Sequence, residues 1–379
     1  MAQIKRIFII CGEASGDLNA ASLVKEILRI NPGIKISGVG GNLLKQAGVE
    51  IYCDIKSLSV IGFFDVLKKL PKFFALQKLI LEKIKEEKPE AIILVDFSGF
   101  NLRLARKINR AIPTFYYISP QVWASRPGRI KTLKKYIHKI ITIFKFEEEF
   151  YKKYGIDTLF VGNPLLDIVE SKMTKQEFCY KYNLPDSKTT IALLPGSRRQ
   201  EIKHIFPIML EAALLVTKDL PDAQFVIAKS PEGEWPLYNR LIHGLRLDSV
   251  IIEGLTYDCL AAADFALVAS GTATVETAIM QKPFVIIYKM GLLNYLLYRP
   301  LVRTPYIGMV NIIAKRKVIP EFIQFQAKPK KISKAVLKIL KDPSLIGQMK
   351  EGLNQVKSLL GEKGASLRTA KIILDFLAL

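Results

Sequence analysis

The feature that most constrains the fold is the alternation of short apolar runs with longer helical patterns along the 379 residues. The runs are rich in β-branched residues and nearly continuous, as expected for strands buried on both faces of a parallel sheet. Helical patterns of about 10 to 20 residues between them can supply the right-handed crossovers. The predicted strands are residues 7–11, 35–39, 91–95, 114–118, 140–144, 159–161, 190–194, 224–228, 250–252, 265–268 and 283–287.

The strand series is interrupted at residues 162–187, where two proline-containing turns flank a polar segment. We interpret this stretch as the junction of two α/β domains. The predicted architecture is two doubly wound, Rossmann-like domains that face a cleft, residues 1–164 and 165–360, with a C-terminal helix at 361–379 that can cross back to the first domain. Ligands of such folds bind beyond the carboxyl ends of the strands.

The net charge and the spacing of the cysteines and histidines favour some classes of function and exclude others. The chain has 56 Lys and Arg against 35 Asp and Glu, a net charge of +21. Such an excess favours nucleic acid, anionic lipid or a phosphorylated substrate as partner. The four cysteines contain no CxxC pair and the three histidines are scattered, so we expect no metal site and no disulfide framework. No apolar run reaches the roughly 20 residues of a membrane helix, and a cytoplasmic location is expected.

Two motifs of the first half lie at predicted strand ends. Residues 12–17 (GEASGD) follow the first strand and precede a helix. They either offer backbone N–H groups to an anion or form a tight turn in which Asp17 is the N-cap. Asp96 ends the strand at 91–95. It is either a general base aimed at the ligand site or a residue that satisfies loop N–H groups.

The second half holds two loops suited to phosphate. Residues 194–201 (LPGSRRQE) combine a glycine, a hydroxyl, paired arginines and a helix start, which favours a diphosphate clamp over a solvated arginine pair. Residues 269–276 (ASGTATVE) open another helix, and Glu276 shares a face with Thr272. That carboxylate could accept hydrogen bonds from ribose hydroxyls, or it could cap an ordinary helix. Two such loops in one domain indicate a nucleotide diphosphate.

Residues 60–74 carry apolar side chains at helical spacing with lysines between them. This pattern is typical of a helix at an anionic bilayer surface and equally of a core helix with solvated lysines. Residues 292–299 (LLNYLLYR) form a similar apolar patch. The sequence contains no recognisable nucleic-acid-binding motif. The predicted membrane-facing residues are Val60, Ile61, Phe63, Phe64, Val66, Leu67, Leu70, Phe73 and Phe74.

Several segments, in order across nearly the whole chain, together resemble one family, lipid-A-disaccharide synthase. They are GEASGD at Gly12, VIGFFDVL at Val60, VDFSGFN at Val95, YYISPQVWAS at Tyr116, FEEEFY at Phe146, FVGNPLLD at Phe160, LLPGSRRQEI at Leu193, ASGTATVETA at Ala269 and the VN pair at Val310. The loops at 194–201 and 269–276 alone would be shared with related nucleotide-sugar enzymes.

The resemblance implies a GT-B glycosyltransferase that holds the donor nucleotide in its C-terminal domain and the acceptor in its N-terminal one. The implied reaction joins UDP-2,3-diacylglucosamine to 2,3-diacylglucosamine 1-phosphate, forming a β-1,6 disaccharide and releasing UDP. It is inverting, independent of metal and without a cofactor. The implied setting is the inner membrane, with peripheral association through its anionic lipids and no nucleic-acid partner. A homodimer is left open.

The resemblance also assigns roles to residues. Asp96 matches the general base, and Glu13 and Ser15 lie in the loop on the acceptor side. The chain has Gly99 where family members often carry a second carboxylate, so Asp96 alone must act as the general base. The residues that match the UDP-sugar site are Gly196, Ser197, Arg198, Ser270, Gly271, Thr272, Glu276 and Asn311.

Two other functions remain open at this point. A UDP-N-acetylglucosamine 2-epimerase or a polyprenyl-linked N-acetylglucosaminyltransferase could use the same two phosphate loops. A basic peripheral protein that binds anionic membranes by charge alone would need no nucleotide site.

Overall fold

We describe the protein from a computed structural model that covers residues 5–55, 63–231 and 233–378; for residues 63–70 only the backbone is described. The chain forms two compact units. Unit 1 comprises Met1–Pro164, Leu301–Arg303 and Leu360–Leu379, and unit 2 comprises Leu165–Pro300 and Thr304–Leu359. No helix of the described residues is long and apolar enough to cross a membrane.

Unit 1 is built on a seven-stranded parallel sheet with helices between successive strands. The strands are β1 (Arg6–Ile10), β2 (Lys35–Gly40), β3 (Glu50–Asp54), β4 (Ala91–Val95), β5 (Thr114–Tyr117), β6 (Lys139–Thr142) and β7 (Thr158–Phe160). The helices are α1 (Ala14–Ile30), α2 (Asn42–Gln46), α3 (Phe63–Glu87), α4 (Ser98–Ile108), α5 (Arg129–Tyr136) and α6 (Lys145–Lys152).

The strand order of this sheet is β3-β2-β1-β4-β5-β6-β7. Ile7 to Ile10 of β1 and the whole of β4 are buried, because helices cover both faces of the sheet. β1 pairs with β2 on one side and with β4 on the other. The winding direction therefore reverses between β1 and β4. At such a switch point the carboxyl ends of the strands open a crevice for ligands.

Unit 2 repeats this plan with a six-stranded parallel sheet in the order β10-β9-β8-β11-β12-β13, so its switch point lies between β8 and β11. The strands are β8 (Thr189–Leu194), β9 (Ala223–Lys229), β10 (Ser249–Glu253), β11 (Phe265–Ala269), β12 (Phe284–Tyr288) and β13 (Glu321–Ile323). The helices are α7 (Leu165–Ile168), α8 (Lys175–Lys181), α9 (Arg199–Asp219), α10 (Trp235–Ile242), α11 (Thr256–Ala262), α12 (Thr272–Ile279), α13 (Leu292–Tyr298), α14 (Met309–Ala314), α15 (Pro329–Leu340) and α16 (Pro343–Leu359).

The end of the chain belongs to unit 1. The last helix, α17 (Ala365–Leu377), packs against α1. The Arg368 guanidinium donates a hydrogen bond of 2.8 Å to the Val161 carbonyl, and the Asn163 N–H donates one of 2.8 Å to the Leu360 carbonyl. These contacts join the C-terminal segment to the end of the first sheet.

The eleven predicted strands are all present, each within two residues of its predicted ends. The prediction missed β3 and β13. Both lie at sheet edges and are partly exposed, so their sequences EIYCD and EFI lack the continuous apolar run of a central strand.

Candidate active site

Asp96 lies at the switch point of unit 1, directly after β4. It and Phe97 adopt left-handed backbone angles, with φ values of +45° and +47°. Few non-glycine residues adopt this conformation, and where they do so the strain is often found at functional sites as well as in turns. The Asp96 carbonyl accepts hydrogen bonds from the Tyr116 hydroxyl at 2.6 Å and the Asn101 amide at 2.9 Å. A neighbouring strand and helix α4 thus hold the half-buried aspartate in this strained position.

The turn after β1 packs against the same loop. A Cβ atom on Gly12 would overlap the ring of Phe97, so glycine is required for this close approach. The Phe97 ring stacks on Phe100 with centroids 5.2 Å apart. Glu13 and Ser15, the predicted acceptor-side residues, lie half-buried at the start of α1 beside this turn.

Asp17 is structural, but not as the cap of its own helix. It lies inside α1, and its carboxylate accepts hydrogen bonds from the backbone N–H groups of Gly41, Leu43 and Leu44 at 2.7, 3.0 and 3.3 Å. Only 4% of its surface is exposed. The interpretation of Asp17 as N-cap of the helix that contains it is therefore wrong, because tertiary packing brings it to the start of α2.

A second carboxyl near Asp96 was not singled out from the sequence. Glu147 on α6 is 2% exposed and accepts a hydrogen bond of 2.9 Å from the Trp123 indole. Burial raises its pKa to about 8; hydrogen bonds from Trp123 and Ser119 oppose the increase, and the charge of Asp96 adds to it. The only signal in the sequence was its place in the FEEEFY segment.

Helix α6 also holds the loop that follows β5. The Tyr151 hydroxyl donates a hydrogen bond of 2.6 Å to the Pro120 carbonyl. Together with the bond between Trp123 and Glu147, this contact fixes residues 120–123 from two successive turns of one helix. The loop therefore lies against a rigid support next to the strand that carries Asp96.

In unit 2 the first predicted phosphate loop follows β8. Gly196 has φ of +102°, and a Cβ there would lie 2.6 Å from a carboxylate oxygen of Glu201. Ser197 and Arg198 are exposed, and Arg198 occupies the N-cap position of α9. Its guanidinium forms an ion pair of 3.2 Å with Glu201. The loop exposes a hydroxyl and a guanidinium beside the start of a 21-residue helix.

The second loop follows β11, the sheet neighbour of β8. The Ser270 N–H donates to the Ile287 carbonyl at 2.9 Å, which fixes the start of the loop. Gly271 has φ of +151° with no atom within 4 Å of its Cβ position, and Thr272 is exposed. The backbone is open to solvent at this point. Because β8 and β11 are adjacent and parallel, both loops lie at the same edge of one sheet.

Glu276 lies one turn further along α12 and is half-buried. The hydroxyl of Tyr257, on α11, donates a hydrogen bond of 3.2 Å to its carboxylate. Burial raises the pKa of Glu276, and the bond from Tyr257 acts in the opposite direction. Tyr257 was not predicted from the sequence, because its contact with Glu276 follows from the packing of α11 against α12 and not from a local motif.

Asn311 was predicted to contact the ligand, but the structure places its side chain elsewhere. It is fully buried, and its amide donates to the Ile319 carbonyl at 2.8 Å and to Glu321 at 2.7 Å. Its carbonyl oxygen accepts from the N–H groups of Val318 and Ile319 at 2.7 and 2.9 Å. No donor or acceptor of the side chain is left for a ligand. We correct its role to bracing α14 against β13.

The predicted membrane-facing residues fall into three groups. Val60 and Ile61 lie outside the described residues, and Phe63, Phe64, Val66, Leu67 and Leu70 lie in the part of α3 for which only the backbone is described. Phe73 is half-buried, with its ring centroid 6.1 Å from that of Phe97, and its membrane-facing role stays a prediction. Phe74 is 59% exposed, as a surface role requires.

Two doubly wound units, one with a strained aspartate and the other with two glycine-containing loops at its switch point, define a GT-B glycosyltransferase. Solved structures agree with this fold. A UDP-GlcNAc 2-epimerase from Neisseria meningitidis is 12% identical, with a TM-score of 0.65 over 98% of this chain and 99% of its own. A glycosyltransferase from Rickettsia africae is 16% identical, with a TM-score of 0.59 over 100% and 99%.

Sequence comparison narrows the class to one family. The lipid-A-disaccharide synthetase family model matches residues 7–373. A lipid-A-disaccharide synthase from Syntrophus aciditrophicus is 39% identical over 383 residues, which is 98% of each chain. The chain belongs to the lipid-A-disaccharide synthetase family. It is a glycosyltransferase of lipid A biosynthesis, as the motifs predicted.

Proposed function

We propose that the enzyme transfers 2,3-diacylglucosamine from UDP to the 6-hydroxyl of 2,3-diacylglucosamine 1-phosphate. Asp96 takes the hydroxyl proton, the oxygen forms a bond to the anomeric carbon of the donor, and the bond from that carbon to the diphosphate oxygen breaks. UDP leaves with the electron pair. Attack opposite the leaving group inverts the anomeric configuration and gives the β-1,6 disaccharide. The observation that carries the proposal is Asp96, held in a left-handed conformation at the end of β4.

The donor is assigned to unit 2. Gly196, Ser197 and Arg198 supply a hydroxyl, a guanidinium and a helix start to the diphosphate, and residues 270–272 add a second open backbone segment. The partial positive charges of the two helix starts stabilise the charge that develops on UDP in the transition state. Glu276, held by Tyr257, accepts hydrogen bonds from the ribose hydroxyls.

The test is incubation of the purified enzyme with the two monosaccharide lipids, followed by mass spectrometry. The expected product is the disaccharide 1-phosphate, together with an equal amount of UDP. Omission of either lipid should abolish it. UDP-N-acetylglucosamine offered alone separates this activity from epimerisation, because an epimerase would convert it without an acceptor.

We also assign the enzyme to the surface of the inner membrane. Phe74 on α3 is 59% exposed, and Lys72 and Lys78 on the same helix are exposed beside it. Exposed apolar groups with cations are the pattern of an interfacial helix on anionic lipid. In unit 2, helix α13 has no buried residue, and Leu292, Leu293, Leu296 and Leu297 are between 44% and 59% exposed. Both surfaces suit an enzyme whose substrates carry acyl chains.

Vesicle sedimentation tests this location. Phe74→Ser should reduce binding to anionic vesicles, and Tyr180→Ser should not. Tyr180 is a matched control, because it is an 88% exposed aromatic residue on α8. Equal binding by both variants and the unaltered enzyme would remove α3 from the membrane surface. Sedimentation velocity of the same samples would measure whether the enzyme is a homodimer.

A further inference from the structure

Arg129 contacts the loop that follows Asp96, two further arginines lie near Arg129, and the function proposed above uses none of the three. Arg129, the first residue of α5, is half-buried and donates a hydrogen bond of 3.0 Å to the Ser98 hydroxyl. Ser98 is two residues after Asp96 and begins α4. Burial lowers the pKa of Arg129, and the nearby charges of Arg126 and Arg103 lower it further. Three guanidinium groups therefore share the surroundings of one loop.

This arginine cluster (Arg103, Arg126 and Arg129) has no acidic counterpart. Within the described part of the chain, none of the three forms an ion pair with a carboxylate. Elsewhere in unit 1, by contrast, Arg29 pairs with Glu26 and Lys139 with Asp157. Arg129 is half-buried, whereas Arg103 and Arg126 are exposed. Holding a partly buried charge close to like charges costs free energy unless an anion balances them. The cluster is therefore arranged for an anion from outside the chain.

The elements that carry the cluster are held together. Helices α4 and α5 pack against each other, and the Arg106 guanidinium on α4 donates a hydrogen bond of 2.7 Å to the Thr132 hydroxyl on α5. Arg103 lies on α4, Arg129 opens α5, and Arg126 precedes it. Planar guanidinium groups on rigid elements suit phosphate, because each can donate two parallel hydrogen bonds to its oxygens.

We propose that Arg129, with Arg103 and Arg126, binds the phosphate monoester of the acceptor sugar. This inference rests on the proposed function, which supplies an acceptor with a 1-phosphate. The donor diphosphate is assigned to the loops of unit 2, whereas the cluster lies on the unit that carries the general base. A phosphate held beside Ser98 would anchor one end of the acceptor while its 6-hydroxyl meets Asp96. The cluster thereby selects phosphorylated acceptors.

Kinetics with two acceptors test the proposal: 2,3-diacylglucosamine 1-phosphate and the same lipid without its phosphate, both in non-ionic detergent. Arg129→Gln and Arg126→Gln should each lower kcat/KM for the phosphorylated acceptor about 10- to 100-fold, mainly through KM, as loss of a charged hydrogen bond predicts. Activity on the dephosphorylated acceptor and KM for the donor should change less than about twofold. Arg110→Gln, an exposed arginine just beyond α4, is the matched control and should behave as the unaltered enzyme on both acceptors.

Each other outcome has a definite meaning. Equal losses on both acceptors, or no loss, would overturn the phosphate assignment. A loss that appears only with anionic vesicles would assign the arginines to lipid headgroups and overturn it as well. If the unaltered enzyme makes no disaccharide from either acceptor, that result contradicts the proposed function itself, and the phosphate assignment that rests on it is overturned too. Circular dichroism and the thermal midpoint of each variant check folding, and Arg126 is exposed, so its replacement should leave the fold intact.

Discussion

The two units share one winding pattern but differ in what they place at the switch point. Unit 1 has a non-glycine residue, Asp96, at φ of +45°, and its loop is fixed by Tyr116 and Asn101. Unit 2 has glycines, Gly196 at φ of +102° and Gly271 at +151°. A strained backbone whose carbonyl is held by two hydrogen bonds suits a residue that must keep one orientation. Glycines instead allow the backbone to approach a ligand closely. In the proposed function, the same fold aims a base in one unit and surrounds a diphosphate in the other.

The comparison predicts its largest effect at Asp96. Asp96→Asn keeps the shape of the side chain and removes the proton acceptor, so the turnover number should fall about 10²- to 10⁴-fold. UDP affinity, measured by calorimetry, should be unchanged because unit 2 is intact. Asp375→Asn, an exposed aspartate on α17, is the control. Near-normal turnover by Asp96→Asn would mean that unit 1 does not supply the general base.

The next effect concerns stability and the buried carboxyl of Glu147. Glu147 has a pKa of about 8 in the folded enzyme and an ordinary value of 4.5. Its protonated form is favoured by folding, so the free energy of unfolding should fall as pH rises between these values, by up to about 1.4 kcal/mol per pH unit. Glu147→Gln removes this dependence while it keeps an acceptor for Trp123.

Urea unfolding at pH 5.5 and 7.5 measures the difference. Relative to the unaltered enzyme, Glu147→Gln should gain stability at the higher pH. Glu149→Gln, an exposed neighbour on the same helix, should not. Parallel behaviour of the two variants would mean that Glu147 is charged in the folded enzyme.

A smaller effect is expected at the first phosphate loop of unit 2. Arg198→Ala removes a charged hydrogen-bond donor and should raise KM for the donor about 10- to 100-fold, with a smaller change in KM for the acceptor. Arg199→Ala is the matched control, because Arg199 pairs with Glu234 at 3.3 Å. An unchanged donor KM in Arg198→Ala would contradict the assignment of donor binding to unit 2 and of the general base to unit 1.

The smallest effect is expected at Tyr257. Tyr257→Phe removes the hydroxyl that holds Glu276, and UDP affinity should fall about 2- to 10-fold, the effect of one neutral hydrogen bond. Tyr238→Phe is the control, because the buried Tyr238 hydroxyl has no hydrogen-bond partner among the described residues. If both variants bind UDP equally well, Tyr257 does not position Glu276 for the ribose hydroxyls.

Most of the fold could be predicted from local patterns. Buried central strands such as β4 and β8 carry continuous apolar runs, and runs of this kind located eleven strands. The site was predictable only in part. Asp96 and Gly271 follow strands that were recognised, so their place at a sheet edge was foreseen. Glu147 and Tyr257 are in place only because tertiary packing brings them to partners outside their own motifs.

The two-unit α/β architecture and the family could be predicted from the sequence, because strand periodicity and short motifs are properties of neighbouring residues. The contacts of individual polar residues could be known only once the chain was folded. The structure shows that Asp17 caps a different helix, that Asn311 forms its hydrogen bonds within the protein, and that the Phe73 ring lies beside Phe97. The physical reason is that burial and hydrogen-bond partners depend on groups that are far apart in the chain, which no local pattern specifies.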